Sequence, residues 1–147
     1  MSTTRITCHI VFATKNRRPT IINEHKRELY AYIYGIIQNK KCTLIRMNGM
    51  ADHIHLLVDI HPSVSVSELV KAIKQASSIW LKGNPNFPTF ECWGEGYFAV
   101  SVGNDGIEAC KNYIITQEEH HCKNDFLDEL KSISKQYGLD WLPQGNE

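Results

Sequence analysis

The chain has 147 residues, 42% of them hydrophobic and 22% charged, with 16 basic and 16 acidic side chains that cancel. That length suits a single domain built on one core, and no apolar run approaches the roughly 20 residues that a membrane-spanning helix needs. The charge is unevenly spread: residues 1–50 carry nine Lys/Arg against two acids, net +7, and residues 51–147 are net −7, so overall neutrality does not exclude a basic surface.

Residues 4–14 (TRITCHIVFAT) are rich in β-branched and aromatic side chains and read as a strand, which the basic segment TKNRRP ends at Pro19. Arg5, Thr7 and His9 interrupt the apolar residues of this first segment, which is unlike a signal peptide. Residues 23–39 place Leu29, Ile33, Ile36 and Ile37 at helical spacing behind a candidate N-cap, Asn23. Residues 42–49 and 52–60 read as consecutive strands, with Asn48-Gly49 as the hairpin cue between them. Residues 64–82 form an amphipathic helix with Leu69, Ile73 and Ala76 on its apolar face, ended by GNPNFP. Short strands are expected around 89–93 and 97–102. A helix follows, capped by Asp105 with Glu108 completing a capping box, and runs to about residue 121. Residues 124–137 are a further helix. The order βαββαβ predicts an α+β, ferredoxin-like antiparallel sheet with helices packed on one face, in one domain over 1–147 whose helical tail occupies about 123–147. The five cysteines (Cys8, Cys42, Cys92, Cys110 and Cys122) are odd in number and lack a CxxC pair, which fits a reduced, cytoplasmic setting.

The segment ADHIHLLVDI puts His53 and His55 two residues apart on one strand. Their side chains therefore share a face, about 6.5–7 Å apart along the backbone, while Ile54 and Leu56 face the other way. Two imidazoles so placed can lean onto one cation, or they can be a satisfied structural pair; spacing alone leaves both open. In CKNYIITQEEHH, Tyr113 and Gln117 are i and i+4 on one helical face. A tyrosine can be a nucleophile and a glutamine carbonyl can bind a hard metal, but a helical tyrosine is more commonly packing. Their spacing becomes informative only if this face meets the histidine strand. His120, His121 and Cys122 could form another metal cluster, although histidines in a last helical turn also complement the carbonyl end of the dipole. Lys15, Arg17 and Arg18 in TKNRRP suit phosphate contact. In WGEGYF the aromatics can stack bases or simply pack a turn.

Taken in order, HIVFATKNRRP, ADHIHLLV, WGEGYFAVSVG and YIITQEEHH resemble the single-tyrosine HUH transposases of the insertion sequence 200/605 family, whose HUH triplet is His53-Ile54-His55 here. The four blocks span about His9 to Glu129. The resemblance implies a divalent metal, Mg²⁺ or Mn²⁺, held by His53, His55 and Gln117, with Tyr113 as nucleophile. It also implies a homodimer, single-stranded DNA with hairpins as partner, and no nucleotide cofactor, because a 5′-phosphotyrosine bond conserves the phosphodiester energy. Lys74 joins Lys15, Arg17 and Arg18 as a candidate DNA contact. One departure is Gly94, where relatives often carry a polar residue after the tryptophan. Two other classes compete. Histidine-triad nucleotide hydrolases need a third histidine at position 57, which is Leu57. A DNA-hairpin-binding module derived from such a transposase would have lost its chemistry.

Overall fold

The computed structural model describes residues 2–117 and 126–136. Strand β1 (Thr7–Ala13) leads through a basic loop to helix α1 (Lys26–Asn39). The hairpin β2 (Thr43–Met50) and β3 (His53–Asp59) follows, then helix α2 (Val66–Lys82) and strand β4 (Phe98–Ser101). Helix α3 (Ile107–Ile115) and helix α4 (Phe126–Gln136) complete the described chain. All strand pairs are antiparallel and the sheet order is β2-β3-β1-β4, so the expected βαββαβ, α+β fold is present.

Alternation along the strands divides the side chains between the two faces. Ile10 and Phe12 of β1 and Ile54, Leu56 and Val58 of β3 point to the face covered by α1 and α2. There they join Leu29, Ile33 and Ile37 of α1 and Leu69, Ile73 and Leu81 of α2 in the main core. Most of these are fully buried, and each contributes about 1.5–3 kcal/mol relative to exposure. The opposite face carries a smaller cluster, in which Leu57 of β3 packs with Val102 and with Cys110 and Ile114 of α3. The two crossover helices thus share one face as expected, and the added helix α3 covers the other.

Several local expectations are corrected. Asn23 sits in a 3-10 turn and does not cap α1, whose N-cap position is His25. Asn48 and Gly49 lie inside β2, and the turn is Ala51-Asp52. Gly49 is there for close approach: a Cβ on it would meet the carbonyl oxygen of His53 at 2.3 Å. Asp105 provides no side-chain cap to α3, and Glu108 pairs instead with Lys111 at 3.2 Å. The capping box falls on α2, where the Glu68 amide donates to Ser65 Oγ at 3.1 Å and Ser65 Oγ donates to Glu68 Oε1 at 3.2 Å. On α2, Ser77 rather than Ala76 takes the buried position, because its hydroxyl accepts from Trp93 Nε1 at 2.9 Å. Around 89–93 there is a single bridge, Thr14 to Trp93, in place of a strand. Helix α3 stops at Ile115, with Thr116 in a turn, short of the expected end near residue 121, and His120, His121 and Cys122 lie outside the described residues.

Candidate active site

The site occupies the sheet face beneath α3. Register places Asn48 of β2 beside His55 of β3, with Val11 of β1 beside His55 on the other side and His9 next to Leu57. His9, Asn48, His53, His55 and Leu57 therefore share one face, and His9 reaches His55 diagonally. His53 and His55 are completely buried and His9 is 2% exposed.

Both histidine rings of β3 are held through Nδ1. His53 Nδ1–H donates to Asp52 Oδ1 at 2.7 Å, and Asp52 is fixed in the turn because its carbonyl accepts from the Thr14 amide at 2.9 Å. His55 Nδ1 lies 2.8 Å from His9 Nε2. Burial, and then the adjacent His55, push the His9 imidazole down to about 3, against the opposing pull of Glu129. His9 is therefore a neutral hydrogen-bond partner at physiological pH. With both Nδ1 atoms engaged, Nε2 of each ring points to a common centre. His53 Nε2 lies 3.2 Å from Gln117 Oε1, and His55 Nε2 lies 2.6 Å from Glu129 Oε1.

Helix α3 supplies the rest. Its C-terminal end is tied to β2 by Asn48, whose side-chain amide donates to the carbonyls of Ile114 at 3.1 Å and Ile115 at 3.2 Å. Cys110 and Ile114 anchor the helix on Leu57, and Cys110 remains a thiol because burial pushes it up to about 11. Tyr113 is half-buried, its ring 5.9 Å from that of His55 and 6.2 Å from that of His9, both edge-on. Burial first, and the negative charge of Glu129 next, raise the phenol above its ordinary value, so it is neutral at physiological pH.

The tyrosine helix thus meets the histidine strand within one chain and brings together His53, His55, Tyr113 and Gln117, a meeting that sequence spacing left open. The donors fit a divalent cation: one atom each from His53, His55 and Glu129 lie within 4.8 Å of one another, all three residues buried, with the Gln117 carbonyl alongside. Sequence reasoning missed His9, Asp52 and Glu129. Asp52 directly precedes the first histidine, a signal that could have marked it. The other two arrive through strand register and helix docking.

The candidate DNA contacts are dispersed. Lys15, Arg17 and Arg18 are exposed on the loop after β1, where Asn16 and Arg17 adopt left-handed backbone at φ 56° and 53°. Arg18 is ion-paired with Glu91. Lys74 is placed differently from a surface contact. It is half-buried, and its ammonium donates to the carbonyls of Gly94 at 2.9 Å and Gly96 at 2.5 Å while lying 5.8 Å from the Phe12 ring centroid. It therefore clamps the WGEG segment. No helix among the described residues is long and apolar enough to cross a membrane.

A histidine pair on a central strand, facing a tyrosine on an added helix, is the arrangement anticipated for a tyrosine transposase of the HUH type. Residues 2–117 match the family described as "Transposase IS200 like", and the chain belongs to that family of DNA-transposing enzymes. It is 32% identical over 137 residues to the transposase for insertion sequence element IS200 of Salmonella typhimurium, a match covering 88% of this chain and 87% of the relative. It is 30% identical over 124 residues to the ISDra2 transposase TnpA of Deinococcus radiodurans, covering 76% and 83%. Two solved structures share the fold. One is a transposase structure from Deinococcus radiodurans (24% identity, TM-score 0.59, 79% of this chain and 93% of that one). The other is a REP-associated tyrosine transposase bound to a REP hairpin (16% identity, TM-score 0.63, 82% and 74%).

Proposed function

We propose that this transposase cuts and rejoins single-stranded DNA at hairpin-marked ends, with Tyr113 as nucleophile and a divalent metal, Mg²⁺ or Mn²⁺, held by His53, His55 and Gln117. The observation that carries this reading is the convergence of Tyr113 from α3, and of Gln117 just beyond its end, on the buried pair His53 and His55 from β3. When bound, the cation supplies Lewis acidity toward a non-bridging oxygen of the scissile phosphate.

Each protein group has a distinct task. Asp52 and His9 hold the two imidazoles with Nε2 inward, and this leaves little reorganisation for the moment of reaction. The Tyr113 oxygen bonds to phosphorus as the bond from phosphorus to the 3′ oxygen breaks, and the phenolic proton ends on that oxygen, which leaves as a 3′-hydroxyl while a 5′-phosphotyrosine remains. One ester is exchanged for another, so a second 3′-hydroxyl can reverse the step and join new strands without a nucleotide cofactor. A single strand suits a recessed site because it bends its phosphate inward without opening a duplex. The REP-hairpin complex of a fold neighbour supports a hairpin partner, and the family resemblance supports a homodimer.

The test is incubation of the full chain with end-labelled single-stranded DNA carrying a hairpin, with and without Mn²⁺, followed by a denaturing gel. A metal-dependent covalent adduct that disappears in Tyr113→Phe, with DNA binding retained, is expected. An undiminished adduct in that variant overturns the nucleophile assignment, and binding without any adduct from the unaltered chain would indicate a hairpin-binding protein.

A further inference from the structure

Glu129 stands outside the metal-ligand set just proposed, yet its side chain lies at the centre of the site. It is 3% exposed, its Oε1 is 2.6 Å from His55 Nε2, and its ligand oxygen lies within 4.8 Å of the ligand nitrogens of both His53 and His55. It comes from α4, twelve positions beyond Gln117, and Ile133, one turn further along that helix, is buried as well. A carboxylate is costly to bury unless positive charge or several donors offset the lost hydration. Positive charge is needed where this carboxylate meets the two imidazoles, since its oxygen stands 2.6 Å from His55 Nε2. A divalent cation at the point where the two Nε2 atoms, the Gln117 carbonyl and the Glu129 carboxylate meet would provide it.

We propose that Glu129 is a protein ligand of the metal in the DNA-free enzyme, so that metal binding fastens α4 over the active site. The inference rests on the reading of His53 and His55 as metal ligands. A carboxylate is the hardest donor in the set and favours Mg²⁺ or Mn²⁺ over softer ions. Glu129 meets His55 at 2.6 Å and the Tyr113 ring packs 5.9 Å from the same imidazole, so this carboxylate also stands close to the nucleophile. A scissile phosphate entering the site brings an anionic oxygen that can take over the coordination position of Glu129.

The experiment is a Mn²⁺ titration of the DNA-free full chain, followed by calorimetry and by loss of the free-ion electron paramagnetic resonance signal. Glu129→Gln, which keeps the shape and removes the charge, should weaken Mn²⁺ binding at least about tenfold, with Glu129→Asp intermediate and Glu108→Gln, at an exposed acid outside the site, close to the unaltered chain. Circular dichroism in chelator establishes that each variant is folded. As a second readout on the unaltered chain, Mn²⁺ should slow tryptic cleavage at the exposed Lys131 and Lys135 of α4, and this protection should be lost in Glu129→Gln. Unchanged Mn²⁺ affinity in Glu129→Gln, or tryptic cleavage of α4 indifferent to Mn²⁺ in the unaltered chain, overturns the proposal. If His53→Ala loses the metal while Glu129→Gln keeps it, only the role of Glu129 fails. If the unaltered chain binds no Mn²⁺ with or without DNA, the metal reading itself fails as well.

Discussion

Nε2 of His9 lies 2.8 Å from Nδ1 of His55, so a ring on β1 sets the orientation of a ring on β3. Metal-binding histidines commonly depend on such a partner, which fixes the tautomer and aims the other nitrogen. His9→Ala should therefore lower Mn²⁺ affinity by about 10–100-fold, and His9→Gln, which retains a polar group near Nδ1, should recover part of it. Calorimetric titration checks this, and equal affinity for all three proteins would remove His9 from the site.

Gly49 should tolerate no side chain. A Cβ there would stand 2.3 Å from the His53 carbonyl oxygen, which is backbone and pairs β2 with β3. Gly49→Ala must push the hairpin apart, at about 1–3 kcal/mol of stability by comparison with overpacked cores. The displacement falls on the strand that carries both histidines, so a lower Tm should be accompanied by weaker Mn²⁺ binding. A variant with the parent's Tm would show that the hairpin yields at no cost.

Asn48 is expected to act as a positioning residue for the nucleophile. Its two hydrogen bonds to the carbonyls of Ile114 and Ile115 tie the end of α3 to the strand beside His55. Each is worth about 1 kcal/mol, and small displacements of a reacting group are costly, up to about 100-fold per ångström. Asn48→Ala should slow adduct formation by about tenfold or more at saturating DNA while KM and DNA binding change little. A change confined to KM would place Asn48 in substrate binding instead.

Much of the fold and half of the site were legible in the sequence because they follow from local period. The two-residue repeat puts His53 and His55 on one face, and the i, i+4 spacing does the same for Tyr113 and Gln117. Sequence reading faltered where tertiary geometry decides. Asn48-Gly49 has turn chemistry, but Gly49 is needed for close approach and Asn48 for the end of α3, so the turn moves to Ala51-Asp52. His9 enters through the register of β1 on β3, which no local pattern encodes. Glu129 enters through the docking of α4, and an acid on an amphipathic helix ordinarily faces water. Lys74 looks like a free cation on a surface helix until the Gly94 and Gly96 carbonyls are seen around it.

That last contrast separates the candidate DNA contacts experimentally. Lys15 and Arg17 are exposed on the loop after β1, whereas Lys74 is half-buried in its clamp and its ammonium is pushed down by burial, with Glu95 opposing. A side chain that neutralises a phosphate contributes about 0.7 to the dependence of log K on log salt for a single strand. Lys15→Ala and Arg17→Ala should each weaken binding uniformly across sequences and flatten the salt dependence by about that amount. Arg18→Ala should do less, since its guanidinium is paired with Glu91. Lys74→Met should leave the slope unaltered and instead lower Tm, because the WGEG carbonyls lose their donor. Fluorescence anisotropy over a salt series, with thermal denaturation of each variant, decides the matter. A reduced slope for Lys74→Met with unchanged Tm would return Lys74 to the DNA-contacting surface.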